Sequence, residues 1–174
     1  MNVTIRMASE SDLIAVQEIY ADHVLHGIAS FEEIPPDIAE IMHRFATLRG
    51  AGYPFTVAVV GDIVKGYAYA GPYRPRPAYR HTVENTVYLA NDAMRQGIGG
   101  KLLEDLIDRC TALGYRQMVA IIGDRDNAAS IAVHARCGFI HRAIVESVGF
   151  KQGRWIDQVI MQRALGDGDE TLPT

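Results

Sequence analysis

Short apolar runs alternate along the chain with longer stretches whose apolar residues recur every three to four positions. The short runs predict β-strands, and the longer stretches predict amphipathic helices. The predicted strands cover residues 3–7, 54–60, 63–70, 82–90, 116–122, 140–148 and 155–163. The predicted helices run from Ser9 or Ser11 to His26 and over residues 37–49, 99–113 and 127–137. The order β-α-α-β-β-β-α-β-α-β-β predicts an α/β fold, a mixed sheet covered by helices.

Glycine and proline mark the breaks between these elements. Gly61-Asp62 predicts a hairpin turn, and residues 71–81 form a proline-rich loop. No repeat and no linker interrupts the pattern. We therefore expect residues 1–165 to form one domain, followed by a polar, flexible tail over residues 166–174.

Composition excludes several classes of protein. The 174 residues are 48% hydrophobic and 22% charged, with a net charge of −4, which is typical of a soluble globular domain. The sequence has no dominant basic patch of the kind that binds nucleic acid. Its apolar runs are too short for a membrane span or a secretory signal. Cys110 and Cys137 lie in helical patterns and are interpreted as buried, reduced thiols, which favours a cytoplasmic protein.

A glycine-rich turn follows the strand predicted at residues 82–90 and leads into an amphipathic helix, with the sequence MRQGIGGKLL over residues 94–103. Such a turn directs several backbone N–H groups and the helix dipole at one point, which suits a phosphate or pyrophosphate. A tight connection in which glycine only relieves crowding is the alternative. The spacing is not that of a Walker loop, and the turn lies too late in the chain for a dinucleotide fold.

Three motifs resemble the GNAT superfamily of N-acetyltransferases: QGIG at residues 96–99, NAAS at 127–130 and CGF at 137–139. The resemblance implies the acyl-CoA N-acyltransferase fold. The chain departs from the family pattern at Met94, where members commonly carry Arg or Gln. In the family that residue serves the phosphate mainly through its backbone N–H, so the departure should weaken binding little.

Four further segments are similar to the phosphinothricin and methionine sulfoximine acetyltransferases: residues 70–73, 82–88, 149–151 and 153–157. With them the resemblance extends from about residue 3 to about residue 164. It implies transfer of acetyl from acetyl-CoA, without a metal, to the α-amine of methionine sulfoximine, methionine sulfone or phosphinothricin. Transfer to a peptide N-terminus or a polyamine, and a catalytically silent CoA-binding module, are the alternatives.

Glu84 is the candidate general base. Strand alternation places Glu84, Thr86 and Tyr88 on one side of the strand. Apolar neighbours of Glu84 are expected to raise the pKa of its carboxyl group by desolvation. A glutamate that points into solvent or pairs with Arg80 is the alternative. His134 occupies the position of a family tyrosine that protonates the departing thiolate, and the alternative is a packed core histidine.

The resemblance implies a cofactor site along the strand, the glycine turn and the helix predicted at residues 127–137. Its residues are Val87, Tyr88, Leu89, Arg95, Gln96, Gly97, Ile98, Gly99, Gly100, Lys101, Asn127 and Ser130. The backbone N–H of Leu89 would polarise the thioester oxygen. Asn127 would reach the pantetheine arm, or act only as a helix N-cap.

The acceptor site is expected around the proline-rich loop. Arg74 and Arg76 are two residues apart, so an extended loop directs both guanidinium groups the same way, as a carboxylate or phosphinate requires. Two solvated arginines are the alternative. The resemblance also implies a homodimer in which Lys151, Trp155 and Asp157 act across the interface, although Trp155 also suits a core position. The full acceptor set is Phe31, Arg74, Arg76, Glu84, Asn85, Thr86, Lys151 and Trp155.

Overall fold

The computed structural model describes residues 2–173, which form a seven-stranded mixed sheet and four α-helices in the predicted order. The strands are β1 Val3–Met7, β2 Phe55–Val60, β3 Ile63–Pro72, β4 Thr82–Leu89, β5 Gln117–Gly123, β6 Ile140–Lys151 and β7 Arg154–Ala164. The helices are α1 Leu13–His26, α2 Ile38–Gly50, α3 Ile98–Ala112 and α4 Ala128–Arg136. The predicted fold class is confirmed.

Strand β6 extends three residues beyond its predicted end. The prediction placed a break at Gly149, but this glycine pairs with Ile156 inside the β6–β7 ladder. The chain reverses later, at Gln152 and Gly153, whose φ angles of 52° and 75° are both left-handed. Two consecutive left-handed residues form the tight hairpin turn that suits the twist of two antiparallel strands.

Strands β4 and β5 part in the middle of the sheet. The strand order is β1-β2-β3-β4-β5-β7-β6, and β4–β5 is the parallel pair within the described residues. Their pairing runs from Thr82–Gln117 to Asn85–Ala120 and ends there, although β4 continues to Leu89. The two strands therefore diverge and leave an opening at the centre of the sheet.

Helices cover both faces of the sheet. One face packs Ala58, Ala68 and Met118 against the inner side of α3, whose Leu102 and Leu106 are fully buried. Burying each of those leucines contributes about 1.5–3 kcal/mol. On the other face, α1 and α2 cover an aromatic cluster formed by Phe45, Phe55 and Tyr67. Strand β4 lies between these two layers, with Val83 in the first cluster and Tyr88 packed against the second.

The C-terminal residues contact Arg116, the residue directly before β5. Arg116 donates hydrogen bonds to Thr171 Oγ1 at 2.7 Å and to the Leu172 carbonyl at 3.0 Å. The division into a domain over residues 1–165 and a flexible tail stays a prediction. No helix within residues 2–173 combines the length and apolar character needed to cross a bilayer.

Candidate active site

A cleft of about 480 Å³ occupies the opening between β4 and β5. Its walls come from the loop after α1, from β4, from the end of β5 and from the start of α4. The predicted site residues that line it are Phe31, Glu84, Asn85, Thr86, Val87, Tyr88, Asn127, Ser130 and His134. Residues from distant parts of the sequence therefore meet where the two strands part.

Glu84 lies on β4 opposite Gly71 and is half-buried in the cleft wall. Burial raises the pKa of its carboxyl above the ordinary value, and the positive charge of Arg74 partly offsets that rise. The Arg74 Nη1 atom lies 3.8 Å from Glu84 Oε2. Arg80, the alternative partner, donates instead to the Pro77 carbonyl. Glu84 is thus a cleft carboxylate whose proton affinity suits a general base.

His134 is buried, with both ring nitrogens next to hydrogen-bonding groups. Nδ1 lies 2.8 Å from the Ser130 carbonyl oxygen, and Nε2 lies 3.1 Å from Asn85 Oδ1. Burial lowers the pKa of His134, and the bond to the Ser130 backbone opposes that shift. The ring is therefore neutral near pH 7 and carries one N–H, which the carbonyl oxygen requires at Nδ1.

The hydrogen bond at His134 Nε2 depends on the orientation of the Asn85 amide. As placed, Asn85 Nδ2 is buried without a hydrogen-bond partner among residues 2–173. Turning the amide by 180° directs its N–H at the Nε2 lone pair and leaves Oδ1 in the position that has no partner. The neutral ring then has no proton at Nε2 to give to a thiolate, whereas a protonated ring fits the original Asn85 orientation. The role of His134 as the acid stays a prediction.

The glycine turn forms the start of α3. Arg95 and Gly97 both adopt left-handed conformations, with φ of 60° and 78°, on either side of Gln96. The first N–H groups of α3 have no partner within the helix, and among the described residues no side-chain hydrogen bond caps them. The residues from Arg95 to Gly97 are exposed outside the cleft. The turn therefore offers free backbone donors to an anion.

Asn127 is the N-cap of α4, and its contact with the pantetheine arm stays a prediction. Its Oδ1 accepts from the Ser130 N–H at 3.2 Å, which caps α4, and the residue also lines the cleft. At the end of β4, the Leu89 carbonyl lies 2.7 Å from His23 Nε2. His23 also packs against the Tyr88 ring. This contact joins α1 to the end of β4, and the sequence analysis did not foresee it.

The structure does not bring every predicted acceptor residue into the cleft. Arg74 lies at the rim over the Tyr73 ring, and Arg76 is exposed in the loop. Lys151 is buried and donates to the Ser30 carbonyl at 2.8 Å. Trp155 is 64% exposed, so it is not a core aromatic. The acceptor roles of these residues stay predictions.

The sequence analysis missed several cleft residues. Tyr20 and Tyr69 contribute phenol groups from α1 and β3, and Gln158 contributes an amide from β7. Burial raises the pKa of Tyr20 to about 12, so its hydroxyl remains a donor. Helical periodicity marks Tyr20 only as apolar, and no motif marks the other two. No three His, Cys, Asp or Glu side chains within residues 2–173 converge to hold a metal ion.

Comparison with known proteins identifies the family. Residues 5–160 match the family model described as the Acetyltransferase (GNAT) domain. The chain is 52% identical to phosphinothricin N-acetyltransferase from Alcaligenes faecalis, over 98% of this chain and 86% of the relative. It is 41% identical to the L-methionine sulfoximine/L-methionine sulfone acetyltransferase of Pseudomonas aeruginosa, over 95% of this chain and 96% of the relative.

The fold also matches a solved structure of the same kind. This is the crystal structure of a GNAT superfamily phosphinothricin acetyltransferase from Sinorhizobium meliloti in complex with AcCoA. The TM-score is 0.97 and the identity 47%, with 100% of this chain and 94% of that chain covered. The chain therefore belongs to the GNAT acetyltransferase family.

Proposed function

We propose that this protein transfers the acetyl group of acetyl-CoA to the α-amine of a small amino acid analogue, namely methionine sulfoximine, methionine sulfone or phosphinothricin. One observation carries the proposal: a carboxyl group of raised pKa, Glu84, lies in the cleft between two parted strands. The strand that bears it leads to an uncapped helix N-terminus. The named activities of the relatives support the acceptor class.

In the proposed mechanism, Glu84 accepts a proton from the acceptor ammonium, directly or through one water, and so frees the amine for attack. The Leu89 N–H donates a hydrogen bond to the thioester oxygen as negative charge develops there. The turn over residues 95–101 and Asn127 hold the cofactor. Acetyl-CoA would supply the activated thioester. Its C–S bond would break as the C–N bond forms, and the CoA thiolate would gain a proton, from His134 or from water, in exchange for the second proton that the attacking nitrogen loses.

The charge at the rim of the cleft favours an amino acid over a polyamine. Arg74 is half-exposed beside Glu84, and its guanidinium group lies over the Tyr73 ring. A guanidinium at this place binds the α-carboxylate of an amino acid and repels the second ammonium of a polyamine. The same carboxylate explains why an amino acid, rather than a simple amine, would be the acceptor.

Thiol release from acetyl-CoA tests this function directly. Purified protein would be assayed against methionine sulfoximine, methionine sulfone, phosphinothricin, the common amino acids and spermidine. We expect turnover with the first three and none with spermidine. Turnover with spermidine alone, or with none of the acceptors, would contradict the proposal.

Replacing Arg74 by glutamine should move the acid limb of the kcat/KM profile to higher pH. The positive charge of Arg74 lowers the pKa of Glu84, so removing that charge raises the pKa of Glu84 further. A base must be deprotonated to act, and its activity therefore falls at a higher pH in the variant. Arg76→Gln is the matched control, because Arg76 is equally exposed and has no ion pair with Glu84. An unmoved acid limb in Arg74→Gln would contradict the assignment.

We further propose that the protein is a homodimer that associates through the β6–β7 hairpin. The exposed apolar side chains of this hairpin are Ile140, Ile144, Val145, Val148, Phe150 and Trp155. Phe150 and Trp155 face each other across the ladder, with ring centroids 5.3 Å apart. An exposed apolar patch of this kind is typical of a protein interface.

Trp155→Arg should weaken this dimer by roughly a hundredfold, because aromatic residues at the centre of an interface contribute most to its affinity. Size-exclusion chromatography with light scattering measures the change over a range of concentrations. Ile63→Arg is the control, since Ile63 is 60% exposed on β3 and lies outside the hairpin. A monomeric wild type, or a Trp155→Arg variant that remains as dimeric as the wild type, would refute this interface.

We also propose that the protein is cytoplasmic. Cys110 and Cys137 are buried as free thiols, which is usual for proteins of a reducing compartment. That nucleic acid and membranes are not its partners stays a prediction from the net charge of −4 and the apolar pattern.

A further inference from the structure

Gly149 on β6 lies directly against the Phe31 ring. A Cβ atom at position 149 would lie 2.6 Å from Phe31 Cε2 and 3.0 Å from Cδ2. Real Cβ atoms do not approach that closely, so any side chain at 149 collides with the ring. The φ angle of Gly149 is outside the left-handed region, and the residue pairs with Ile156 where the ladder resumes after an irregularity between Val145 and Gly149. The close approach of Phe31, and not the backbone conformation, is therefore what requires glycine here.

The segment that carries Phe31 is anchored on both sides. Lys151, two residues after Gly149, donates to the Ser30 carbonyl at 2.8 Å, and the Ser30 hydroxyl bonds Tyr20 at 2.8 Å. On the β5 side, a Cβ at Gly123 would lie only 2.7 Å from the Ile28 carbonyl oxygen, so the backbones already touch. The loop has no room to retreat, and a larger residue at 149 displaces the ring instead.

An ion pair holds the residue that follows Phe31. The Glu32 carboxylate accepts from Arg44 Nη1 at 2.7 Å and from the Tyr20 hydroxyl at 3.0 Å. Residues on either side of the ring are thus bonded to α1, α2 and β6. Rotation about the side-chain bonds of Phe31 is the remaining way for the ring to yield.

The Phe31 ring lies against Gly149, and Phe31 lines the cleft whereas Gly149 does not. We propose that Gly149 sets the width of the acceptor part of the cleft by seating Phe31 against the β6 backbone. This inference rests on the proposed function, since it gives Phe31 the role of an acceptor-pocket wall. Gly149 acts only through the ring and is therefore a positioning residue for acceptor selection.

Gly149→Ala should move the Phe31 ring into the cleft, so that only a shorter acceptor fits. We expect kcat/KM for methionine sulfone to fall about tenfold or more, in line with what one misfitted methylene costs in a pocket. The value for S-methylcysteine sulfone, one carbon shorter, should fall much less. The KM for acetyl-CoA should change less than twofold. Gly50→Ala is the control, because a Cβ there meets no atom within 4 Å.

A double-mutant cycle with Phe31 separates this role from a general structural effect. In a Phe31→Ala background no ring remains to be displaced, so adding Gly149→Ala should have no further effect. Equal losses in both backgrounds, or equal losses for the long and the short sulfone, would overturn the inference.

A crystal structure of Gly149→Ala tests the position of the Phe31 ring and needs no acceptor. A ring displaced into the cleft supports the inference even if the wild type acetylates none of the proposed acceptors. A ring that stays in place, or that turns away from the cleft, would overturn it. The failure of the proposed function and the failure of this inference are thus distinguishable.

Discussion

Glu84→Gln is expected to lower kcat by roughly 10²–10⁴-fold, the usual contribution of a general base. Glutamine preserves the shape of the side chain but cannot accept a proton. Burial raises the pKa of the Glu84 carboxyl, so in the wild type kcat/KM should fall with acid above the ordinary range of a carboxyl group. In the variant that acid limb should disappear, while the affinity for acetyl-CoA stays unchanged.

Glu32→Gln is the matched control for this result. Glu32 is the second glutamate of the cleft, and its carboxylate is already bound to Arg44 and Tyr20. Removing its charge should reduce kcat far less than removing that of Glu84. If both variants lost activity equally, the net charge of the cleft would explain the effect. If Glu84→Gln kept activity within threefold of the wild type, Glu84 would not be the base.

Gly97→Val should weaken acetyl-CoA binding by roughly 5–150-fold, equivalent to about 1–3 kcal/mol. Gly97 precedes α3 with a φ of 78°, a left-handed conformation that valine adopts only under strain. Relief of that strain rotates the backbone N–H groups that the proposal gives to the pyrophosphate. Isothermal titration of CoA measures the loss without any acceptor.

Gly61→Val carries the same strain at a different place. Gly61 has a φ of 60° in the β2–β3 turn, and a Cβ there meets nothing within 4 Å. Both substitutions should lower the melting temperature, but only Gly97→Val should weaken CoA. An equal affinity for CoA in the two variants would show that the turn does not hold the cofactor.

Local patterns predicted the elements that carry the chemistry. The alternation along β4 and the glycines after it depend on neighbouring residues, so the strand, the turn and α3 could be identified from sequence. Glu84 and Asn127 could then be assigned from the resemblance, and the structure places both at the cleft. The separation of β4 from β5 could not be predicted from local patterns, because it depends on pairing between strands that are distant in sequence.

Contacts between distant residues were also unpredictable. Lys151 and Ser30 lie 121 residues apart, and their hydrogen bond gives Lys151 a buried place within its own chain. The predicted strand ends at residue 148, just before Gly149, whereas in the structure Gly149 lies within β6 and makes room for the Phe31 ring. The partner of His134 Nε2 is Asn85, 49 residues earlier in the sequence.

The most direct test of the central claim follows the acetyl group itself. Methionine sulfoximine has two nitrogens, the α-amine and the sulfoximine nitrogen. The protein would be incubated with acetyl-CoA labelled with ¹³C in the acetyl group, and the product analysed by NMR and mass spectrometry. The account predicts that the label appears on the α-nitrogen, at a rate that Glu84→Gln reduces at least a hundredfold. Label on the sulfoximine nitrogen, or no transfer at all, would contradict it.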